Sequence, residues 1–197
     1  MESYDIAIIG GGPAGYLAAE RAADAGKKVL LAEKRTVGGV CLNEGCIPTK
    51  TFLYSAKIFE YEDHKGKDLG LCCENAALDH TMVLARKRSV VNTLVGGVSS
   101  ALTRKKVDVV RGEAGLRRAE HGFTILCGGS SFCAEKVLLA TGSEPVIPNI
   151  PGIAGGIGDG SVLTSREILE LQEVPEELVI VGAGVIGLEM AAYFNIA

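Results

Sequence analysis

Gly10-Gly11-Gly12-Pro13-Ala14-Gly15 is the stretch that decides the fold. The apolar run from Tyr4 to Ile9 before it is typical of a buried parallel strand, and a small-residue helix over 16–25 is predicted after it. In such a turn Gly10 allows the tight bend, Gly12 lets the backbone approach a pyrophosphate, and Gly15 lets the helix pack on the strand. The helix N-terminus then offers N–H groups to phosphates. The stretch therefore predicts a dinucleotide-binding βαβ unit.

A carboxylate follows at the expected distance from the glycines. The second strand, predicted over 28–32, ends at Glu33, about twenty residues further along the chain. A carboxylate there accepts hydrogen bonds from a ribose 2′-hydroxyl and repels a 2′-phosphate, so the nucleotide is predicted to carry a free ribose. An isolated glycine pattern would be weak evidence. Strand, helix and acid together favour a nucleotide site over an ordinary glycine turn.

Two cysteines, Cys41 and Cys46, follow this unit. In a regular helix, residues five apart have Cα atoms about 8 to 9 Å apart, which is too far for a disulfide. Gly45 and Pro48 suit a loop or bent turn around the pair that leads into a helix from about residue 47. The spacing alone leaves ordinary buried thiols and a redox-active disulfide both open. A zinc site is disfavoured, because no other Cys or His pair completes four ligands, and no metal site is predicted.

Composition and charge restrict the function. The 197 residues are 47% hydrophobic, which predicts a soluble α/β protein with one core and the start of a second. The net charge of -4 argues against nucleic acid or an anionic membrane as partner. The apolar run 6–9 is too short for a signal peptide and no stretch has the length of a membrane span, which predicts a cytoplasmic protein. A disulfide in that compartment is more often catalytic than structural, and the six cysteines are too sparse for a secreted framework: Cys41, Cys46, Cys72, Cys73, Cys127 and Cys133.

The rest of the chain reads as further α/β structure. Helices are predicted over 48–61, from 79 or 80 onwards, and over 166–171; strands are predicted over 107–111, 123–127, 131–140 and 178–181. The strands around Gly128-Gly129 form a small antiparallel insertion. An apolar stripe on the long helix is predicted to pack in the core: Val91, Leu94, Val95, Val98 and Leu102. The basic clusters 86–88 and 104–106 are interpreted as solvated faces, and His64, His80 and His121 as structural residues.

A second fingerprint occurs late in the chain, at Gly182-Ala183-Gly184-Val185-Ile186-Gly187. Two fingerprints imply two dinucleotide domains, and hence electron transfer between two nucleotides. A Pro- and Gly-rich stretch over 146–160 is typical of a linker. We therefore predict a first nucleotide domain over 1–145, and a linker with the start of a second nucleotide domain over 146–197. The strand whose last residue distinguishes NAD from NADP is expected beyond residue 197.

The cysteine stretch resembles the flavin-dependent disulfide reductases, whose signature has a glycine pair, Cys, Asn, Gly-Cys, Pro and Lys in this order. Here these are Gly38-Gly39, Cys41, Asn43, Gly45-Cys46, Pro48 and Lys50. Leu42, Ile47 and Thr49-Lys50 look most like the dihydrolipoyl dehydrogenase branch, because glutathione and mercuric reductases more often carry valines around these cysteines. The resemblance runs from Tyr4 to the end of the chain but covers only the N-terminal part of a family member.

The resemblance implies roles for individual residues. Cys46 would be the thiolate against the flavin of FAD and Cys41 the outer thiol that exchanges with substrate, while Lys50 would lie near both with Glu189 as its carboxylate partner. The small residue Ala114 would lie near adenine, and Ala140-Thr141-Gly142 would contact the flavin nucleotide. The full set of predicted cofactor-binding residues is Gly10, Gly12, Pro13, Ala14, Gly15, Glu33, Lys34, Gly39, Val40, Cys41, Lys50, Ala114, Ala140, Thr141, Gly142, Gly182, Gly184, Gly187 and Glu189.

The implied activity is oxidation of protein-bound dihydrolipoamide with NAD, through FAD and the Cys41/Cys46 disulfide. Its partners would be lipoyl domains of 2-oxo acid dehydrogenase or glycine cleavage complexes, and the full-length protein would be a homodimer. The acid/base pair of the family lies in a later domain, so these 197 residues alone are expected to show no turnover. Two alternatives stay open: a reductase of another disulfide or of a metal ion, and a noncatalytic nucleotide-binding module.

Overall fold

The computed structural model describes residues 2–62, 66–70 and 75–197. His64, Cys72 and Cys73 lie outside the described residues. The chain divides into two compact units: unit 1 comprises Met1–Asn43 and Asn92–Ser143, and unit 2 comprises Glu44–Val91 and Glu144–Ala197. The predicted domain limits at 145 and 146 stay a prediction.

Unit 1 is built on a six-stranded sheet with the order β3-β2-β1-β6-β5-β4. Four neighbouring strands, β3, β2, β1 and β6, run parallel, and β4 and β5 continue the sheet antiparallel. This confirms the predicted α/β class and the antiparallel insertion; β4 was not predicted. The strands are β1 Glu2–Ile9, β2 Val29–Glu33, β3 Asp108–Arg111, β4 Gly115–Arg118, β5 Phe123–Cys127 and β6 Ser130–Leu139.

Both faces of the sheet are covered, as the apolar strands require. Successive side chains of a strand point to opposite faces, and β2 follows this rule: Val29 and Leu31 pack with one buried cluster, whereas Leu30 and Ala32 pack with another. The first cluster also holds residues of the helices that flank the sheet, including Ala19 and Leu102. The central strands are therefore buried on both faces, as expected for parallel strands, whereas β3 and β4 at the two edges of the sheet are mostly exposed.

Most of the helices lie approximately where the sequence predicts them, but the two short ones, Gly39–Asn43 and Ile153–Asp159, were not predicted. The helices are α1 Pro13–Asp24, α2 Gly39–Asn43, α3 Cys46–Glu60, α4 His80–Arg104, α5 Ile153–Asp159 and α6 Val185–Ile196. The apolar stripe of α4 is buried only in part: Leu102 lies in the core of unit 1 and Val98 packs against it, but Leu94 is 39% exposed. Within the ranges that the structure describes, no helix combines the length and apolar character that crossing a membrane requires.

Unit 2 has a core in which aromatic rings from α3, α4 and α6 meet. Phe52 and Tyr193 have ring centroids 4.5 Å apart. The His80 Nε2 lies 2.8 Å from the carbonyl oxygen of Leu171 and its Nδ1 lies 2.6 Å from the Tyr193 hydroxyl. A carbonyl can only accept, so Nε2 carries a proton and donates to Leu171. His80 is thus structural, as predicted, and burial raises the pKa of Tyr193 to about 12.

One local prediction in unit 2 is wrong, and two other segments there differ in detail from the expectation. Residues 178–181 form no strand, because a strand needs a hydrogen-bonded neighbour and none of the described strands pairs with them. The expected linker contains the short helix α5, which begins and ends at glycines in the left-handed region. The helix predicted over 166–171 is a 3-10 helix, Glu167–Glu170.

Lys87 also contradicts its prediction as part of a solvated face. Its side chain is 2% exposed, whereas that of its neighbour Arg88 is 51% exposed. The Lys87 Nζ donates to the carbonyl oxygen of Leu169 at 2.8 Å and to the carboxylate of Glu170. A buried ammonium requires such partners. They come from a segment more than eighty positions away along the chain, which sequence periodicity could not reveal.

Replacing Lys87 by alanine is expected to destabilise unit 2 by about 3 kcal/mol, because the change removes a buried stem and leaves the Leu169 carbonyl without its donor. Urea unfolding followed by far-UV circular dichroism measures the loss. Arg88→Ala is the matched control: Arg88 contacts the same Glu170 carboxylate from the surface, and its loss should cost under about 0.5 kcal/mol. Equal losses in the two variants would contradict the assignment of Lys87 to the core.

Candidate functional site

The predicted nucleotide residues of unit 1 follow the ends of parallel strands. Gly10 follows β1, Glu33 ends β2, Ala114 lies three residues after β3 and Ala140 follows β6. Because β3, β2, β1 and β6 are parallel, these strand ends share one edge of the sheet. In open α/β sheets, ligands bind outside this carboxyl edge.

The first fingerprint requires glycine at two positions for steric reasons. Gly10 has φ +104°, and a Cβ placed on it would lie 2.1 Å from the carbonyl oxygen of Ala140. A Cβ on Gly15 would lie 1.8 Å from the carbonyl oxygen of Gly10. Gly12 differs, because a Cβ there would come no closer than 3.7 Å to another heavy atom, Gly39 Cα. Gly10 and Gly15 thus serve the packing of the turn itself, whereas Gly12 leaves space for a ligand.

The N-terminus of α1 is open for an anion. Its N-cap is Gly12, Pro13 occupies the first turn, and that turn carries no acidic residue and receives no side-chain cap. Free N–H groups and the helix dipole at such an end attract phosphate. Pro13, Ala14 and Gly15 therefore lie where the sequence predicted a pyrophosphate.

The Glu33 carboxylate is held at the fingerprint. One oxygen accepts from the Gly11 N–H at 2.6 Å and the other from the Arg35 N–H at 2.7 Å. These two bonds fix the carboxylate at the end of β2, where a ribose was predicted. Lys34, the next residue, is exposed.

The segment that carries Cys41 contacts the same turn. Gly38 donates its N–H to the Gly11 carbonyl at 2.8 Å, and a Cβ on Gly39 would lie 2.6 Å from Gly12 Cα. Asn43 then closes α2 by donating from Nδ2 to the carbonyl of Gly39 at 2.9 Å. This close approach needs glycine at 39, which also has φ +58°.

Cys41 therefore lies beside the fingerprint helix. It is half-buried on α2, and its sulfur lies close enough to Tyr16 of α1 for an electrostatic interaction. Burial, and after it the Cys41 sulfur, raises the pKa of Tyr16. The remaining predicted residues of unit 1 are near these strand ends in sequence: Val40 and Ala114 are half-buried, while Thr141 and Gly142 are exposed in the turn after β6.

Cys46, Lys50 and Glu189 belong to unit 2. Cys46 is the first residue of α3 and is exposed. Lys50 stands four positions later, on the same helix face, and its ammonium forms an ion pair with the Glu189 carboxylate of α6. The pair that the resemblance implied is thus present, while the role of these residues stays a prediction. Cys127, by contrast, is buried, which raises the pKa of its thiol and suits an unreactive cysteine.

The second fingerprint repeats the backbone of the first. Gly182 has φ +107°, and a Cβ on Gly187 would lie 2.5 Å from the Gly182 carbonyl oxygen. Gly184 is the N-cap of α6 with φ -73° and ψ 170°, close to the -72° and -176° of Gly12 before α1. The turn is therefore built as predicted, although the strand before it is not.

One set of residues near the cysteine stretch was missed by sequence reasoning. Arg166 forms ion pairs with Glu44, which lies between the two cysteines in sequence, and with Glu144. The Glu144 carboxylate first, and Glu44 in addition, raise the pKa of the Arg166 guanidinium. No motif marks this cluster, since its members are far apart in the chain. Among the residues that the structure describes, no group of three or more His, Cys, Asp or Glu side chains could hold a metal ion.

Comparison with known proteins agrees with this geometry. A model of the family described as Pyridine nucleotide-disulphide oxidoreductase matches residues 4–197. The dihydrolipoyl dehydrogenase of Acholeplasma laidlawii is 45% identical over 195 residues, which are 98% of this chain and 57% of that protein. The dihydrolipoyl dehydrogenase of Mycoplasma pneumoniae is 43% identical over 190 residues, which are 96% of this chain and 41% of that protein.

A solved structure shares the fold. The HOCl-induced flavoprotein disulfide reductase RclA from Escherichia coli is 33% identical with a TM-score of 0.80, over 98% of this chain and 40% of that one. Its Cu(II) complex gives a TM-score of 0.81 over 100% of this chain and 41% of that one. The chain thus spans about half or less of the length of these proteins. Motifs, fold and family match together show that this chain belongs to the pyridine nucleotide-disulphide oxidoreductase family.

Proposed function

We propose that this chain is the flavin-binding and disulfide-bearing part of a dihydrolipoyl dehydrogenase. The observation that carries the proposal is the close approach of the Cys41 segment to the fingerprint. Gly38 donates its N–H to the Gly11 carbonyl, and a Cβ on Gly39 would lie 2.6 Å from Gly12 Cα. A cysteine held beside a dinucleotide turn is the arrangement that electron exchange with a bound flavin requires.

The residues of unit 1 fit FAD. The uncapped N-terminus of α1 and the space above Gly12 suit its pyrophosphate, and the fixed Glu33 carboxylate suits a free ribose hydroxyl. Lys34, Gly39, Val40, Ala114 and the turn 140–142 complete the set that would hold the cofactor. FAD would supply the two-electron chemistry that links a dithiol to a nicotinamide.

The cysteines perform the sulfur chemistry. One thiolate of dihydrolipoamide attacks Cys41 Sγ, the Cys41–Cys46 bond breaks, and Cys46 leaves as a thiolate. The second substrate thiolate then displaces Cys41 from the mixed disulfide. The substrate leaves as a cyclic disulfide, and the two cysteines hold its two electrons. Lys50, one turn after Cys46 and paired with Glu189, favours the Cys46 thiolate by its positive charge.

The second fingerprint supports a nicotinamide dinucleotide as the other nucleotide, with Gly182, Gly184 and Gly187 shaping its turn, and likeness to dihydrolipoyl dehydrogenases favours NAD. By likeness to dihydrolipoyl dehydrogenases, the partners would be lipoyl domains of 2-oxo acid dehydrogenase or glycine cleavage complexes, and the whole protein a cytoplasmic homodimer. The flavin domain is proposed over 1–145, and 146–197 as the linker and start of the NAD domain.

An anaerobic titration tests the proposal. The oxidised chain is loaded with FAD and titrated with dihydrolipoamide, or with glutathione as the comparison, while the visible absorbance of the flavin is followed. Dihydrolipoamide should reduce the protein disulfide, and glutathione should act far more slowly because it must react twice between molecules. Retention of FAD without any reduction of the protein disulfide would favour the noncatalytic nucleotide-binding module. Equal reaction with both thiols would favour a reductase with another disulfide substrate.

One finding favours the metal-ion alternative: the solved structures similar to this chain include a Cu(II) complex of RclA. Thiolates bind copper well, so the reduced Cys41/Cys46 pair is the candidate ligand set here. Titration of the reduced chain with Cu(II), with Cys41→Ser as the control, tests the metal-ion alternative. Each Cu(II) accepts one electron, so loss of both thiols as a disulfide with formation of two Cu(I) per chain would support it, whereas unchanged thiol accessibility would remove it.

A further inference from the structure

The Gly38-Gly39 pair places the cysteine stretch against the fingerprint through a backbone that is flexible by composition. Both residues have positive φ, +103° at Gly38 and +58° at Gly39. Glycine adopts this region without strain, but it adopts many other conformations as easily, so two successive glycines leave a chain very free. The observed conformation, in which Gly39 approaches Gly12, therefore needs a contact that selects it.

The peptide group between Val37 and Gly38 is hydrogen-bonded at both ends. Its N–H, on Gly38, donates to the Gly11 carbonyl at 2.8 Å. Its carbonyl, on Val37, accepts from Asn43 Nδ2 at 3.2 Å. Because the N–H and the C=O of a planar trans peptide point in opposite directions, the bond from Asn43 fixes the plane in which the N–H reaches Gly11. Rotation of this peptide would break both bonds together.

The Asn43 side chain uses both of its hydrogens. Nδ2 also donates to the Gly39 carbonyl at 2.9 Å, so the two hydrogens of the amide meet two carbonyls. A carboxylate in this place would set its oxygens against two other acceptors, and a serine hydroxyl would bring one donor for two acceptors. Asn43 is half-buried, and a carbonyl that loses its donor away from water is costly. The arrangement therefore requires an amide.

Gly39 forms one side of the gap at Gly12. A Cβ on Gly39 would lie 2.6 Å from Gly12 Cα, and a Cβ on Gly12 would come within 3.7 Å of Gly39 Cα. Gly12 is also the N-cap of α1, the helix end that suits a phosphate. Any displacement of Gly39 therefore changes the space that is open to a pyrophosphate beside Gly12.

We propose that Asn43 is a positioning residue for the dinucleotide: its amide fixes the Val37–Gly38 peptide and the Gly39 carbonyl, and so sets the distance between the Gly39 backbone and Gly12. The proposal deepens the proposed function and rests on it insofar as the dinucleotide is FAD. It gives the asparagine of the cysteine stretch a part in cofactor binding, which it exerts through the backbone of its neighbours.

Two measurements on Asn43→Leu test the proposal. Leucine has as many side-chain heavy atoms as asparagine and no charge, so the change removes both donors at nearly constant volume. In the cofactor-free chain, the Gly38 amide should exchange its hydrogen at least about tenfold faster by NMR, because its bond to Gly11 opens more often. FAD affinity, measured by titration of flavin fluorescence, should fall at least about tenfold. Asn43→Ser keeps one donor and should show smaller changes in both quantities.

Two controls separate this effect from general loosening. Thr36→Val alters an exposed side chain immediately before Val37 and should change neither the exchange at Gly38 nor the affinity for FAD. Exchange at Ile8, which is fully buried in β1, should stay the same in Asn43→Leu. Equal acceleration at Ile8 and Gly38 would show that unit 1 as a whole is loosened and would overturn the proposal.

The two readouts together decide the outcome. Faster exchange at Gly38 with weaker FAD binding supports the proposal. Unchanged exchange overturns it, and so does faster exchange with unchanged FAD affinity. If Asn43→Leu fails to fold, Asn43→Ser gives the same two readings. A chain that binds no FAD before any substitution would defeat the proposed function, and this proposal with it. Normal FAD binding in Asn43→Leu would defeat this proposal alone.

Discussion

Gly15→Ala is expected to unfold unit 1 and to abolish flavin binding. The added Cβ would lie 1.8 Å from the Gly10 carbonyl oxygen and 2.9 Å from its carbon. Both are backbone atoms of a turn that is fixed on its other side, where Gly10 meets the Ala140 carbonyl. Neither can retreat, so α1 must move away from β1. We expect a loss of at least about 4 kcal/mol, which is large for a single substitution, measured by urea unfolding and flavin absorbance.

Gly12→Ala is the matched control for this prediction. Its Cβ would find its nearest neighbour at 3.7 Å, and the φ of -72° at Gly12 is ordinary for alanine. The unfolding free energy without cofactor should change by less than about 0.5 kcal/mol, while FAD affinity should fall at least about tenfold because the methyl group occupies the path of the pyrophosphate. If both variants lost stability equally, the separate roles given to the two glycines would be wrong.

Cys46→Ser is expected to abolish the reaction of the oxidised chain with dihydrolipoamide. In the unaltered chain, the reaction should expose two new alkylatable thiols, Cys41 and Cys46. The serine variant cannot form the disulfide, so none should appear. The measurement is the mass added by alkylation per chain, before and after anaerobic dihydrolipoamide treatment.

Two further variants make this prediction specific. Cys41→Ser should give the same null result, because it removes the other sulfur of the same bond. Cys133→Ser changes a half-buried cysteine of β6 and should still expose two thiols. Two new thiols in Cys46→Ser would show that the reactive pair is another one and would defeat the proposed function.

Local patterns predicted the unit 1 sheet well. The strand, glycine turn and helix from Tyr4 to Asp24 are specified by neighbouring residues, and the same holds for β5 and β6 around the Gly128-Gly129 turn. Strand β4 escaped prediction because its residues are exposed and lack apolar alternation. Residues 178–181 show the opposite failure: they have an apolar strand pattern, but a strand forms only where a neighbour supplies hydrogen bonds.

The residues of the candidate site likewise fall into those that local sequence predicts and those that it does not. Its glycines, cysteines and Glu33 were found because their spacing along the chain is typical of nucleotide-binding and disulfide motifs. Lys87 and Arg166 were not, because each owes its role to carboxylates or carbonyls that only folding brings near. The Lys50–Glu189 pair was expected solely through family resemblance, since 139 positions separate the two residues.

The two glycine turns show which positions of such a site the backbone requires and which can vary. The loops 10–15 and 182–187 share torsions at their first and third positions although the residues between the glycines differ: Gly11, Pro13 and Ala14 in one, Ala183, Val185 and Ile186 in the other. The backbone itself requires glycine only at the first and last positions, through the positive φ of Gly10 and Gly182 and the close carbonyl oxygens at Gly15 and Gly187. The residues between them can therefore differ and suit a different nucleotide at each site without changing the turn.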